Sequence, residues 1–221
     1  MNSLVSDPNI AHKIVNVNRI LDLIREAWSS HYFLSDNLDL RPRSSYLYNN
    51  ENALIFAARL RLFGFDETKL SNGAFRLTYF HTSGKWVLKV PLVPELADVT
   101  GSTDVKFLSE VPEKYINYFP NTILLGDGVL LQRSHPESSI RYERYFGDSW
   151  YDYCECTKAQ QKHRDWLDTL MEDLELIDVH EGNIGWSGNR PKIIDFSRDN
   201  DPQWDMLDTA WSKYLSSHKK V

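Results

Sequence analysis

The sequence predicts an α+β fold in two lobes, on three observations. Apolar residues recur at helical spacing near the amino end and again over 157–175, whereas between 73 and 132 they alternate and are broken by hairpin turns. The strand-rich stretch precedes the helix-rich one, and Gln132-Arg133-Ser134-His135-Pro136 reads as the connector between them. The 221 residues, 42% apolar and 13% aromatic, are enough for one domain or two small lobes without a covalent staple.

Residues 8–33 are expected to form one amphipathic helix, because Ile10, Ile14, Val17, Ile20, Leu21, Ile24 and Trp28 fall on one face and Asp7-Pro8 supplies a cap followed by a first-turn proline. Residues 34–48 are polar and loop-like. A second helix is expected over 50–63, opened by Asn50 and stopped by Gly64. Phe75 to Tyr79 and Trp86 to Val90 flank a turn at His81-Thr82-Ser83-Gly84, so 73–91 reads as a hairpin. A short helix follows at 103–111, and a second hairpin, Thr122 to Gln132, turns at Gly126-Asp127-Gly128. The stretch 137–156 has no clear period. Residues 157–175 read as helix, Ile184 to Trp186 and Lys192 to Ile194 as short strands, and the last 20 residues as helix. The boundaries so drawn are a helical segment 1–65, a small β-rich lobe 66–134 and a mostly helical lobe 135–221.

Charge and cysteine content narrow the possible partners. Thirty-one acidic against 25 basic residues give a net charge of −6, which argues against a general nucleic-acid binder or an anionic-membrane binder. Cys154 and Cys156 form a C-x-C pair too close in sequence for disulfide geometry, and no second thiol pair exists to complete a metal site, so reduced thiols in a cytoplasmic protein are expected. No apolar run approaches the ~20 residues of a membrane span, and the amino end lacks a basic-then-apolar export pattern.

Chemistry concentrates in Asp178-Val179-His180-Glu181-Gly182-Asn183 and Ile193-Ile194-Asp195-Phe196-Ser197. A hairpin turn centred on Asn189 sets Asn183 opposite Asp195, and a two-residue turn shifts this by one position. An amide oxygen and a carboxylate on neighbouring strands suit Mg²⁺, which takes one or two protein ligands and completes its shell with phosphate and water. Asp178, in the loop leaving a helix, has the chemistry to accept a proton from an attacking hydroxyl. Lys89 lies between apolar neighbours in a strand and needs an anionic partner, and Val87 shares its face. Upstream, Ser71-Asn72-Gly73-Ala74-Phe75 is a turn whose backbone N–H groups can cover phosphates. Each feature also has a plainer reading: turn chemistry for Asp178 to Asn183, a strand-end cap for Asp195, an edge-strand charge for Lys89, and a loop brace for His180. The joint spacing favours the chemical reading.

Taken together, Asp178-x4-Asn183, Asp195-Phe196 and Val87-x-Lys89 resemble the protein-kinase-like fold. The Asp-x-His-x-x-Asn loop is similar to that of aminoglycoside and choline phosphotransferases. The resemblance runs further with the early-gene serine/threonine protein kinases of podophages, which share such a loop, a run to Gly64-Phe65, Asn72-Gly73-x-Phe75 and a short apolar-Lys-Val strand. It covers roughly residues 50–200. It implies a compact two-lobed fold with a truncated C-lobe and an N-terminal helical extension, and an enzyme that uses ATP and Mg²⁺ to modify host proteins in the host cytoplasm.

The resemblance also implies roles. Asp178 matches the catalytic base, Asn183 and Asp195 the Mg²⁺ ligands, and Lys89 the lysine on the α- and β-phosphates. Asn72 and Gly73 match the phosphate turn, and Val87 with the 132–135 connector matches the adenine pocket. The acidic partner of Lys89 is expected on the short helix, at Glu110, with Glu113 second. The chain departs from typical protein kinases in three places: Leu176-Ile177 precede the loop in place of His-Arg, Ser197 follows Asp195-Phe196 in place of glycine, and only 26 residues follow Asp195. That tail is short for a peptide-docking groove, and Asp201-Pro202 with Asp205-x-x-Asp208 resembles small-molecule phosphotransferases. Two alternatives therefore stand beside the protein kinase: a small-molecule kinase of the aminoglycoside or choline type, and a non-catalytic kinase-like protein that binds a host target.

Overall fold

The structure, a computed structural model, describes residues 4–6, 8–30, 32–33, 50–72, 75–147 and 156–198, with helical positions at 205–206, 208–209, 212–213 and 216. The expected loop at 34–48, Gly73, Cys154 and most of the expected terminal helix lie outside them; Cys156 is a free thiol. The described residues form an α+β fold with six α-helices and a five-stranded antiparallel sheet. Among them, no helix is long and apolar enough to cross a membrane.

The single amino-terminal helix expected over 8–33 is instead two, α1 (Pro8–Ala11) and α2 (Val17–Ser29). Asn16 separates them: its side-chain oxygen accepts the Arg19 N–H and begins a new helix there. The periodic residues of α2 remain on one face, and Ile20 and Ile24 are fully buried. Helix α3 (Asn50–Leu60) runs into a 3-10 turn at Arg61–Phe63 and stops at Gly64. Gly64 has φ 88°, which favours glycine, and a Cβ there would sit 2.7 Å from the His81 ring and force that ring to shift.

Strand β1 (Phe65–Asn72) is absent from the sequence-based reading. Its Asp66-Glu67-Thr68-Lys69 run has no apolar alternation, because it is an edge strand whose register shifts between Phe65 and Leu70. Strands β2 (Arg76–His81) and β3 (Trp86–Pro91) form the expected hairpin, and β4 (Thr122–Gly126) with β5 (Val129–Arg133) the second. Asp127 (φ 49°) and Gly128 (φ 67°) supply the two positive-φ positions of that second turn. The sheet order is β1-β2-β3-β5-β4.

Register sorts the two faces. Leu77 pairs with Val90 and Tyr79 with Leu88. These side chains are buried in one apolar core with Ile20, Ile24, Ala53 and Phe56, so α2 and α3 cover one face of the sheet. Trp28 ties the cover down by donating its indole N–H to the Pro91 carbonyl at 2.9 Å. Thr78 pairs with Lys89, and Val87 pairs with both Phe80 and Gln132, so this second set faces the opposite way.

A second core joins α4 (Thr103–Glu110), α5 (Ser139–Phe146) and α6 (Lys158–Leu174) to the short strands β6 (Leu176–Ile177), β7 (Ile184–Ser187) and β8 (Arg190–Ile193). Phe107, Phe119 and Phe196 meet edge-on or tilted at its centre. Helix α5 falls in the stretch without a clear period; Ser138 caps it, and Tyr142 and Phe146 alone are its buried residues. Helix α6 opens on a capping box between Thr157 and Gln160. Strand β6 pairs with β9 (Ser197–Arg198), which brackets the segment richest in polar chemistry.

Candidate functional site

A cleft of about 270 Å³ opens between the β7–β8 hairpin and the face of the five-stranded sheet opposite α2 and α3. Thr78, Val87 and Lys89 line it from the sheet, residues 132–137 from the connector, and Asn183 and Asp195 from the hairpin side. The connector is pinned at both ends: Ser134 N–H donates to the Lys85 carbonyl at 2.9 Å, and Trp186 N–H to the Pro136 carbonyl at 3.0 Å.

The hairpin register differs by one residue from that of a turn centred on Asn189. Ser187 pairs with Arg190 and Ile184 with Ile193, so the turn is the two residues Gly188-Asn189. Gly188 has φ 60°, as the first central residue of a type II′ turn requires. Asn183 therefore faces Ile194, whose N–H donates to the Asn183 carbonyl at 2.9 Å, and Asp195 is one residue further along. Both side chains still line the cleft.

Lys89 Nζ donates to the Ile194 carbonyl at 2.6 Å and lies 3.4 Å from Asp195 Oδ1. The distant residues chosen from sequence thus meet as an ion pair. The Asp195 carboxylate is 39% exposed, whereas the Lys89 side chain is 7% exposed. Burial pulls the Lys89 pKa below that of an ordinary lysine, and Asp195 offsets only part of this. For Asp195, burial acts to raise the pKa, but Lys89 and Arg76 outweigh it and hold the carboxyl below the usual range.

Asp178 sits in the loop after β6 with φ 60° and an exposed side chain. Its carbonyl accepts the Asn183 Nδ2–H at 2.6 Å, which spans the loop and fixes the amide's orientation. His180 braces the same loop, its Nδ1 accepting the Gly182 N–H at 3.1 Å, and its other nitrogen lies 3.6 Å from Asp178 Oδ1. Val87 lines the cleft as its strand face requires. Asn72 closes β1 opposite Leu77, with its side chain outside the described residues, as is the whole of Gly73; the neighbouring Ser71 lines the cleft.

Glu110 does not pair with Lys89. It is exposed at the last position of α4, and Glu113 beyond Pro112 is exposed too. The buried residues of α4 are Asp104, Phe107 and Leu108. Six residues of a 3.6-residue helix put Glu110 about 120° around the axis from Asp104.

Two site residues escaped the sequence-based reading. Arg76 on β2 forms ion pairs with Asp104 on α4 and, at 2.6 Å, with Asp195. Burial opposes the charge of Arg76, yet its two carboxylate partners raise its pKa above that of a free guanidinium. Burial raises the Asp104 pKa, and Arg76 reverses only part of the shift. The signals were present: Arg76 shares the face of Thr78 and Lys89 by period-two alternation, and Asp104 is a lone acid on the apolar stripe of α4.

The donor set fits a hard divalent cation completed by phosphate. Because Asn183 Nδ2 is committed to the Asp178 carbonyl, its Oδ1 is the atom left to ligate, and Asp195 adds a carboxylate held in its charged form. Two such protein ligands suit an ion that draws the remainder of its shell from substrate and water; among the described residues, no three His, Cys, Asp or Glu side chains gather as a metal site. Comparison with protein-family models and with curated proteins finds no match.

Proposed function

We propose that this chain is an ATP- and Mg²⁺-dependent phosphotransferase, and specifically a bacteriophage serine/threonine protein kinase acting on host proteins. The carrying observation is the Lys89–Asp195 ion pair across a cleft that also holds Asn183, itself tied to Asp178. Several features support a compact two-lobed kinase-like fold: the sheet order β1-β2-β3-β5-β4, a helix between β3 and β4, a connector after β5, and the β6–β9 pair around the Asp178 loop. The helices before residue 65 then serve as a brace on the back of the smaller lobe. The choice of a protein acceptor rests on the sequence resemblance.

Lys89 holds the α- and β-phosphates from β3, replacing its contact to the Ile194 carbonyl with phosphate oxygens. Val87 and the connector enclose the base. Asn183 and Asp195 would hold Mg²⁺, which when bound offsets charge on the transferring phosphoryl group. Asp178, exposed at the open end of its loop, orients the acceptor hydroxyl and takes its proton. Most of the acceleration comes from positioning and from fixed charges aimed where charge develops.

The test is incubation with γ-labelled ATP and Mg²⁺, with and without host-cell lysate, beside Asp178→Ala and Asp195→Ala. Label should appear on lysate proteins and vanish in both variants while each stays folded by circular dichroism. Full transfer by Asp195→Ala would sink the metal assignment. ATP binding without label on any protein would move the acceptor to a small molecule.

A further inference from the structure

Arg76 is buried, yet it lines the cleft. Its guanidinium reaches two carboxylates of different kinds. Asp104 is as buried as Arg76 itself and lies on a neighbouring helix, whereas Asp195 opens to the cleft. Asp104 alone would neutralise Arg76. The second contact is to Asp195 Oδ1, the same oxygen that Lys89 approaches, so two cations converge on one cleft-facing anion at 2.6 and 3.4 Å.

We propose that Arg76 is a phosphate-binding residue of this cleft, aimed by Asp104 and released from Asp195 to polyphosphate oxygens when nucleotide enters. The inference rests on the phosphotransferase reading and adds to it a residue on β2. Arginine suits the role because its planar fork meets two phosphate oxygens at once, whereas lysine is a point charge. Charge balance points the same way. Arg76 and Lys89 offset Asp104 and Asp195 one for one. Any divalent cation on Asp195 leaves an excess of positive charge that phosphate oxygens meet. Asp104 keeps the guanidinium in place during the exchange, so Arg76 gives up its contact to Asp195 without losing its anchor to α4.

The experiment is calorimetric titration of the full chain with ADP and, separately, adenosine, each with and without Mg²⁺. The variants are Arg76→Lys and the double variant Arg76→Gln with Asp104→Asn, which removes both buried charges together and retains hydrogen-bonding groups. The double variant should bind ADP about 10- to 100-fold more weakly, as loss of charge-assisted hydrogen bonds predicts. Its affinity for adenosine should stay within about twofold. Arg76→Lys should fall between the double variant and the wild type for ADP, because charge survives and the fork does not. Unchanged ADP affinity in the double variant overturns the proposal and leaves the phosphotransferase reading standing. Equal weakening toward ADP and adenosine also overturns it, assigning Arg76 a purely structural role. A wild-type chain that binds neither ligand removes the proposal and the phosphotransferase reading together.

Discussion

His135 lies in the connector that lines the cleft, and it should make stability depend on pH with a definite sign. Burial first, and the positive charge of Lys192 second, push its pKa from 6.5 down to about 4. The unfolded chain takes up this proton near 6.5, and the folded chain only near 4. Between those values the unfolded state binds more protons, so the contribution is complete above about 6.5 and is lost as pH falls toward 4. Integrating from pH 7.5 to 4.5 gives about 2.5 kcal/mol for the full shift, and a ring that is only partly buried lowers the expected range to about 1–2.5 kcal/mol. Asp104, Glu137 and Asp168 have raised pKa values and act in the opposite direction over the same acid range. The quantity to measure is therefore the difference between wild type and His135→Gln, in which those groups cancel. Urea unfolding followed by tryptophan fluorescence at pH 7.5, 5.5 and 4.5 supplies it. The wild type should lose stability relative to the variant as pH falls. Parallel pH profiles, or a wild type that gains on the variant in acid, would refute the assignment of a half-buried, neutral imidazole to the connector.

Two further predictions separate the brace from the site. Phe56 is fully buried and meets Phe33 edge-on at 4.9 Å and Tyr79 at 5.6 Å, so Phe56→Ala should cost about 3–5 kcal/mol in denaturant unfolding; a loss below about 1 kcal/mol would mean that α3 does not seal the sheet. Lys89→Met should weaken ADP binding about 10- to 100-fold with little loss of folding stability, since burial already disfavours the ammonium, while Glu110→Gln should leave ADP affinity within about twofold of wild type. Reversed outcomes in the same titration would return the role of acidic partner to Glu110.

Where local rules suffice, elements could be read from the residues themselves. The helix that stops at Gly64 and the hairpin turning at Asp127-Gly128 both carry their signals within a few positions. Local reading failed where a stronger local competitor or a tertiary partner decided. Asn16 divides a continuous apolar stripe into α1 and α2, and the polar β1 is a strand because β2 offers it an edge. Helix α5 buries too few side chains to show a period.

The site divides along the same line. Alternation and short spacing put Val87 beside Lys89, Asn183 near Asp195, and Asp178 at the head of its loop, because strand and hairpin geometry set which side chains share a face within a few residues. Which acid meets which cation across 28 or 119 residues of chain is not a local question. The family resemblance pointed to Glu110, yet the rotation of α4 turns Asp104 inward and leaves Glu110 in solvent. Arg76 lay unrecognised in a strand until packing buried it between Asp104 and Asp195. Sequence alone determined the chemical inventory and its local faces. Tertiary structure decided the pairing, because a buried charge is tolerated only beside its counter-charge, and the approach of α4 and the β7–β8 hairpin to the sheet is what brings the counter-charges there.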